Sequence, residues 1–201
     1  MRSLESALRA GVEAANGPLD QRDSDTIVQP GSPGAGASCS LCKDWPVRKA
    51  NVLRVDCDYD DADPDGYRSG VANVSQAVGG EALAAKVYEL PAGESVCPYH
   101  YEYEEEWLLV LEGAVVVRTP AGEEEVARGE MICFPRGPAG AHKVTNRGEA
   151  VARIVMFSSA REPAVAVYPD SDKIGVWPGN PDDKVMLRRA DGNVDYWDGE
   201  S

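Results

Sequence analysis

From about residue 70 the chain breaks into short strand-like runs with a turn signal roughly every ten residues, and that rhythm narrows the possible folds more than any other feature. The runs are Leu83 to Leu90, Val96 to Glu102, Trp107 to Leu111, Ala114 to Arg118, Glu123 to Ala127, Met131 to Phe134, His142 to Thr145 and Val151 to Phe157. Between them stand Pro91-Ala92-Gly93, Glu112-Gly113, Thr119-Pro120-Ala121-Gly122, Arg128-Gly129, Pro135-Arg136-Gly137 and Asn146-Arg147-Gly148, which supply positive φ, fixed φ or Asx turns. The pattern reads as an all-β sandwich or barrel. No helical period of useful length interrupts it, which argues against a βαβ arrangement, and there is no internal repeat.

The flanks differ in texture. Residues 3 to 16 carry Leu4, Leu8 and Val12 at helical spacing behind Ser3, interrupted by Gly11. Residues 17 to 50 are rich in Gly, Pro, Ser and Ala and have little to bury, so residues 1–50 are expected to form a flexible arm. Asp56 to Asp65 holds six aspartates without the spacing or closing Glu of an EF-hand loop, and reads as a solvated acidic loop. Residues 161–201 form a polar extension whose scattered Ile174, Val176, Trp177, Val185, Leu187, Tyr196 and Trp197 are expected to dock on the barrel or on a partner subunit. The barrel itself is expected over 51–160.

Charge and cysteine content exclude several classes of function. With 34 Asp and Glu against 20 Lys and Arg the net charge is −14, a field that repels phosphate backbones and anionic lipid, so neither nucleic acid nor membrane is an expected partner. No run reaches the apolar length of a spanning helix, and the first residues do not resemble a signal peptide, so the chain reads as cytoplasmic. Its five cysteines read as free thiols. The lone CxxC, Cys39 to Cys42, lacks a second ligand pair and reads as a surface thiol pair, and Cys97 and Cys133 read as core residues.

The chain has two histidines, His100 and His142, and both lie in the strand-rich half. His100 and Glu102 share one face of a strand, with Cα atoms roughly 6 to 7 Å apart. Glu106 joins them only if Tyr103-Glu104-Glu105 turns the chain back into a neighbouring antiparallel strand. Tyr101 then points away from that face. Arg136, in the loop ahead of His142, is either an exposed cation or a group that holds a substrate anion.

These residues resemble the two motifs of the cupins, small jelly-roll barrels. Gly93, His100, Glu102, Glu106 and Gly113 look like the first motif, and Gly129, Pro135, Gly137, His142 and Asn146 like the second. The resemblance covers roughly residues 80 to 158. Six residues separate Gly93 from His100 and four separate Gly137 from His142, both longer than the family pattern, and Glu102 stands where the family has a second histidine. The resemblance implies a cupin jelly-roll barrel, a double-stranded β-helix, with a divalent metal held by His100, Glu102, Glu106 and His142. Two carboxylates in that set favour Mn²⁺ or Fe²⁺ over Cu²⁺ and leave Zn²⁺, Ni²⁺ and Co²⁺ open. The implied function is a metal-dependent isomerase, decarboxylase or dioxygenase acting on a small oxygen-rich molecule such as a sugar acid, keto acid or polyol, with the metal as Lewis acid and Glu102 or Glu106 as candidate base. The alternative is a non-catalytic module that binds or senses a small ligand in the same cavity. Exposed barrel edges make a homodimer the expected assembly.

Overall fold

A computed structural model describes residues 47–192 and 194–200. The helix expected over 3–16, the arm up to residue 46 and Cys39 to Cys42 lie outside the described residues. The strands are β1 (Gly70–Asn73), β2 (Leu83–Leu90), β3 (Tyr101–Glu102), β4 (Glu106–Glu112), β5 (Ala114–Thr119), β6 (Gly122–Ala127), β7 (Met131–Phe134), β8 (Lys143–Thr145), β9 (Ala152–Ser159), β10 (Ala164–Tyr168), β11 (Lys173–Trp177) and β12 (Val185–Arg188). Two short helices accompany them, α1 (Val74–Val78) and α2 (Arg189–Gly192). The strands form antiparallel sheets in the orders β1-β2-β9-β4-β7, β6-β5-β8 and β12-β11-β10-β3. This is the all-β jelly-roll barrel that the turn rhythm and motifs predict.

Alternation along each strand builds the interior. Leu108 and Val110 of β4, Val115 and Val117 of β5, and Ala152, Ile154 and Met156 of β9 face one buried cluster together with Leu90, Phe134 and Val144. β2 divides its two faces: Leu90 packs inward, whereas Val87 packs outward on Ala72 and Val74. Ala50, Val52 and Val55 cover that outer face. The buried Arg153 guanidinium clamps them there, donating to the carbonyls of Val52 and Val55 while pairing with Glu89. Asn146 acts as a peg at the far end: its Nδ2 donates to the carbonyls of Leu90 and Ala150, and its Oδ1 accepts from Gly148 N–H.

Three expectations need correction. Val96 to Glu102 is not one continuous strand, because Pro98 lacks an N–H and the chain bulges there. Ser95 pairs with Thr145 and His100 with His142, so five steps on one side match three on the other. Cys133 is exposed rather than in the core, since Ile132 and Phe134 take the inward positions of β7. Asp63 is buried, so the acidic run is not wholly solvated. Residues 161–201, in contrast, contain the strands β10, β11 and β12, and β10 pairs with β3 at Ala166 to Glu102 and Val167 to Tyr101, in keeping with an extension that packs on the rest of the chain. The short α1, capped by Asn73 and ended by Gly79 at φ 78°, carries too little period to be read from sequence.

Candidate metal centre

The bulge at Cys97-Pro98 brings the two histidines face to face. His100 and His142 exchange backbone hydrogen bonds, His100 N–H to His142 O at 3.0 Å and His142 N–H to His100 O at 2.8 Å. Residues directly opposite in an antiparallel pair project to the same side, and the two rings lie with centroids 4.7 Å apart. Both side chains are almost wholly buried, His100 at 3% and His142 at 1% exposure.

Glu106 reaches them from the start of β4. The chain bends at 103–105 and returns as β4, the fold-back the sequence required. Glu106 Oε2 lies 3.6 Å from His100 Nε2 and 3.5 Å from His142 Nε2. The ligand-capable atoms of His100, Glu106 and His142 fall within 4.8 Å of one another. Glu102 stands just outside this group, with Oε1 3.9 Å from His100 Nε2.

Backbone carbonyls orient both rings. His142 Nδ1 donates to Gly140 O at 2.9 Å, and His100 Nδ1 lies 3.1 Å from Pro98 O and 3.3 Å from Cys97 Sγ. Engagement of Nδ1 turns Nε2 of each ring toward Glu106, the arrangement in which an outer partner fixes a metal-binding tautomer. Phe134 stacks on His142 with ring centroids 3.6 Å apart, and Tyr168 stacks on His100 at 5.8 Å. Glu106 Oε2 and His142 Nε2 are buried without a hydrogen-bond partner among the described residues. Two converging acceptors left in that condition are unfavourable by themselves, and a divalent cation between them would satisfy both. The residues present fit a metal ion.

The protein's own charges set the starting protonation. Burial pushes His142 down to about 4, so at neutral pH the ring is uncharged. Burial also opposes a charge on His100, but Cys97 and Glu106 more than offset it and hold this ring well above the ordinary imidazole value. The same contact keeps Glu106 below the usual carboxylate range despite its burial. Glu102 is pushed up to about 8 by burial, with the Glu106 carboxylate alongside adding to the effect. A cation bound here would have to displace protons from His100 and Glu102, so its binding would strengthen as pH rises toward 8.

Three polar neighbours of the centre were not apparent in the sequence. The interior rows run Val110, Ile154, Tyr88; then Leu108, Met156, Lys86; then Glu106, Ser158, Ala84. Lys86 and Tyr88 thus face the barrel interior near the acidic pair, and Tyr168 enters from β10. Inward parity along Leu83 to Leu90 and the alternating Ala164-Val-Ala-Val-Tyr168 run were the available signals. Arg136 is not one of the three clustered residues and pairs with Glu104 at 3.2 Å. Glu104 also accepts from Ser159 Oγ at 2.6 Å.

Among the described residues no helix is long and apolar enough to cross a membrane. Residues 86–158 match the Cupin domain family. Among curated proteins, the tetracenomycin polyketide synthase protein TcmJ of Streptomyces glaucescens is 35% identical over 75 residues, covering 37% of this chain and 49% of that protein. The chain thus spans about half the length of this relative. A sugar phosphate isomerase of the cupin superfamily from Silicibacter pomeroyi superposes with TM-score 0.62 at 22% identity, over 74% of this chain and 97% of that one. A protein assigned as a sugar phosphate isomerase from Acidithiobacillus ferrooxidans gives TM-score 0.59 at 22% identity, over 64% and 81%. Two motif histidines are paired inside an antiparallel barrel, and residues 86–158, the strands that carry them, match the Cupin domain family, so this part of the chain is similar to cupins in both sequence and fold.

Proposed function

We propose that the protein is a divalent-metal enzyme that moves a proton at a carbon beside a carbonyl in a small oxygen-rich substrate, a sugar acid, keto acid or sugar phosphate. His100, Glu106 and His142 hold the metal and Glu102 is the base. The observation that carries this reading is the buried convergence of two Nε2 atoms on one partnerless carboxylate oxygen. When bound, the metal supplies Lewis acidity that polarises a substrate carbonyl or hydroxyl.

The chain's own residues supply the rest. The carbonyls of Pro98 and Gly140 lock the ring orientations, and Phe134 and Tyr168 wall the rings off from water. Glu102, whose Oε1 lies 3.9 Å from His100 Nε2 just outside the cluster, would be ionised once a cation is bound and is placed to take and return a proton. The sugar phosphate isomerases of the same fold fit such chemistry, and the relative from a polyketide synthase fits an oxygen-rich carbonyl substrate.

Solvent exchange tests the proposal. Protein loaded with Mn²⁺ or Zn²⁺ and incubated in D₂O with hydroxy acids, keto acids and sugar phosphates is expected to place deuterium beside the carbonyl of at least one of them. Exchange is expected to cease on chelation, and to fall by about 100-fold or more in Glu102→Gln with metal content retained. Undiminished exchange in Glu102→Gln would remove Glu102 as base, and tight ligand binding without exchange by the wild type would favour a binding module.

A further inference from the structure

Lys86 is the cation that the metal reading does not use. It occupies the middle of β2, opposite Met156 on β9, and Met156 lies opposite Leu108 on β4. Inward parity is fixed by its neighbours, since Tyr88 and Leu90 pack into the interior cluster while Val87 faces the outer one. Lys86 therefore enters the barrel one row from Glu106. On a flat sheet their Cα atoms would be about 12 Å apart, and barrel curvature with two long side chains shortens that gap. The side chain is half-buried and makes no hydrogen bond or ion pair among the described residues, although it feels the charges of Glu102 and Glu106.

A lysine there opposes the very ion the site is built to take. Glu102 and Glu106, once ionised, neutralise a divalent cation, and Lys86 then leaves one positive charge in a partly desolvated interior with no counterion. Burial already pushes this lysine down to about 8, against the pull of the two carboxylates. An incoming anion would resolve the imbalance. Tyr88 and Tyr168, whose hydroxyls burial holds in the protonated form, are further polar groups facing the same space.

We infer that Lys86 binds the anionic arm, carboxylate or phosphate, of a substrate whose other oxygens meet the metal. The inference rests on the metal site proposed above and narrows its substrate class to oxygen chelators that carry a negative charge. A neutral polyol would leave the excess charge in place.

Oxalate is the probe for the carboxylate arm and inorganic phosphate for the other. Titration calorimetry would compare wild type with Lys86→Met and Lys86→Gln, first for Zn²⁺ alone and then for each anion on the Zn²⁺-loaded protein. Both variants are expected to bind Zn²⁺ at least as tightly as wild type, because a repelling charge has gone. At least one anion is expected to bind about 10- to 100-fold more weakly to both. Unchanged affinity for both anions would overturn the role of Lys86 and leave the metal site standing, and weaker Zn²⁺ binding by both variants would overturn it in favour of a structural role. A wild type that takes no Zn²⁺ would sink the metal reading and this one with it.

Discussion

Glu106→Gln is expected to lower divalent-metal affinity by at least about 100-fold, more than a change in a residue that merely orients a ligand. The reason is geometric as well as electrostatic. Glu106 Oε2 lies within 3.6 Å of both imidazole Nε2 atoms, so no other carboxylate substitutes for it in the cluster. The amide keeps the shape, but removes the charge and gives the centre one weaker oxygen. At a metal concentration near a thousand times Kd, bound metal stabilises the wild type by about 4 kcal/mol, which for a chain of this size is roughly 8 to 16 °C in melting temperature. Wild type is therefore expected to lose a shift of that order on chelation, and Glu106→Gln, at ten times its weakened Kd or less, to lose no more than about 1.4 kcal/mol, roughly 3 to 6 °C. Differential scanning fluorimetry with Mn²⁺ or Zn²⁺ measures both. A variant that keeps the full metal-dependent shift would remove Glu106 from the site.

Gly140→Ala acts on the same centre through the backbone. A Cβ at residue 140 would stand 1.7 Å from Pro135 O, 2.8 Å from Pro135 C and 3.0 Å from Pro135 N. Those are main-chain atoms, so no rotamer relieves the clash and the 3₁₀ turn Pro138–Gly140 must move. The Gly140 carbonyl is the acceptor that orients His142 Nδ1, and the turn lies directly ahead of that ring. The substitution is expected to destabilise the fold by about 2 to 3 kcal/mol and to weaken metal binding by about 10- to 100-fold, the range for loss of an orienting partner. Chemical denaturation in the presence of chelator reads the first effect and calorimetric metal titration the second. A variant destabilised but with wild-type metal affinity would show that the turn supports the fold without setting the ring.

The barrel and its centre differ in how far they can be read from residue order. Turn residues and two-residue alternation are local, so β2 and β7 fall where the sequence places them, and Phe134, Leu108 and Ile154 face inward as their parity requires. The meeting of His100 with Glu106 was also legible, because an extended chain could not join them and only Tyr103-Glu104-Glu105 could turn. What pattern cannot show is register across long separations. The bulge at Cys97-Pro98 gives the first motif two residues more than β8, and only that slip sets His100 opposite His142. Tyr168 reaches His100 because β10 returns to pair with β3, a contact spanning more than sixty residues of sequence. Lys86 is one polar residue in the run Leu83 to Leu90, and its inward side follows only from Val87 and Leu90 lying on opposite faces of β2. Cys133 shows the reverse failure, since its neighbours and not its own character put it outside.

The central claim is that His100, Glu106 and His142 hold one divalent cation. Elemental analysis of protein purified without chelator, wild type beside His142→Ala, tests it most directly, with the metal titrated into each at pH 6 and pH 8. Near-stoichiometric metal in the wild type, tighter binding at pH 8 as Glu102 and His100 give up protons, and almost none in the variant are the predicted results. Equal metal content in the two proteins, or none in either at both pH values, would contradict the claim.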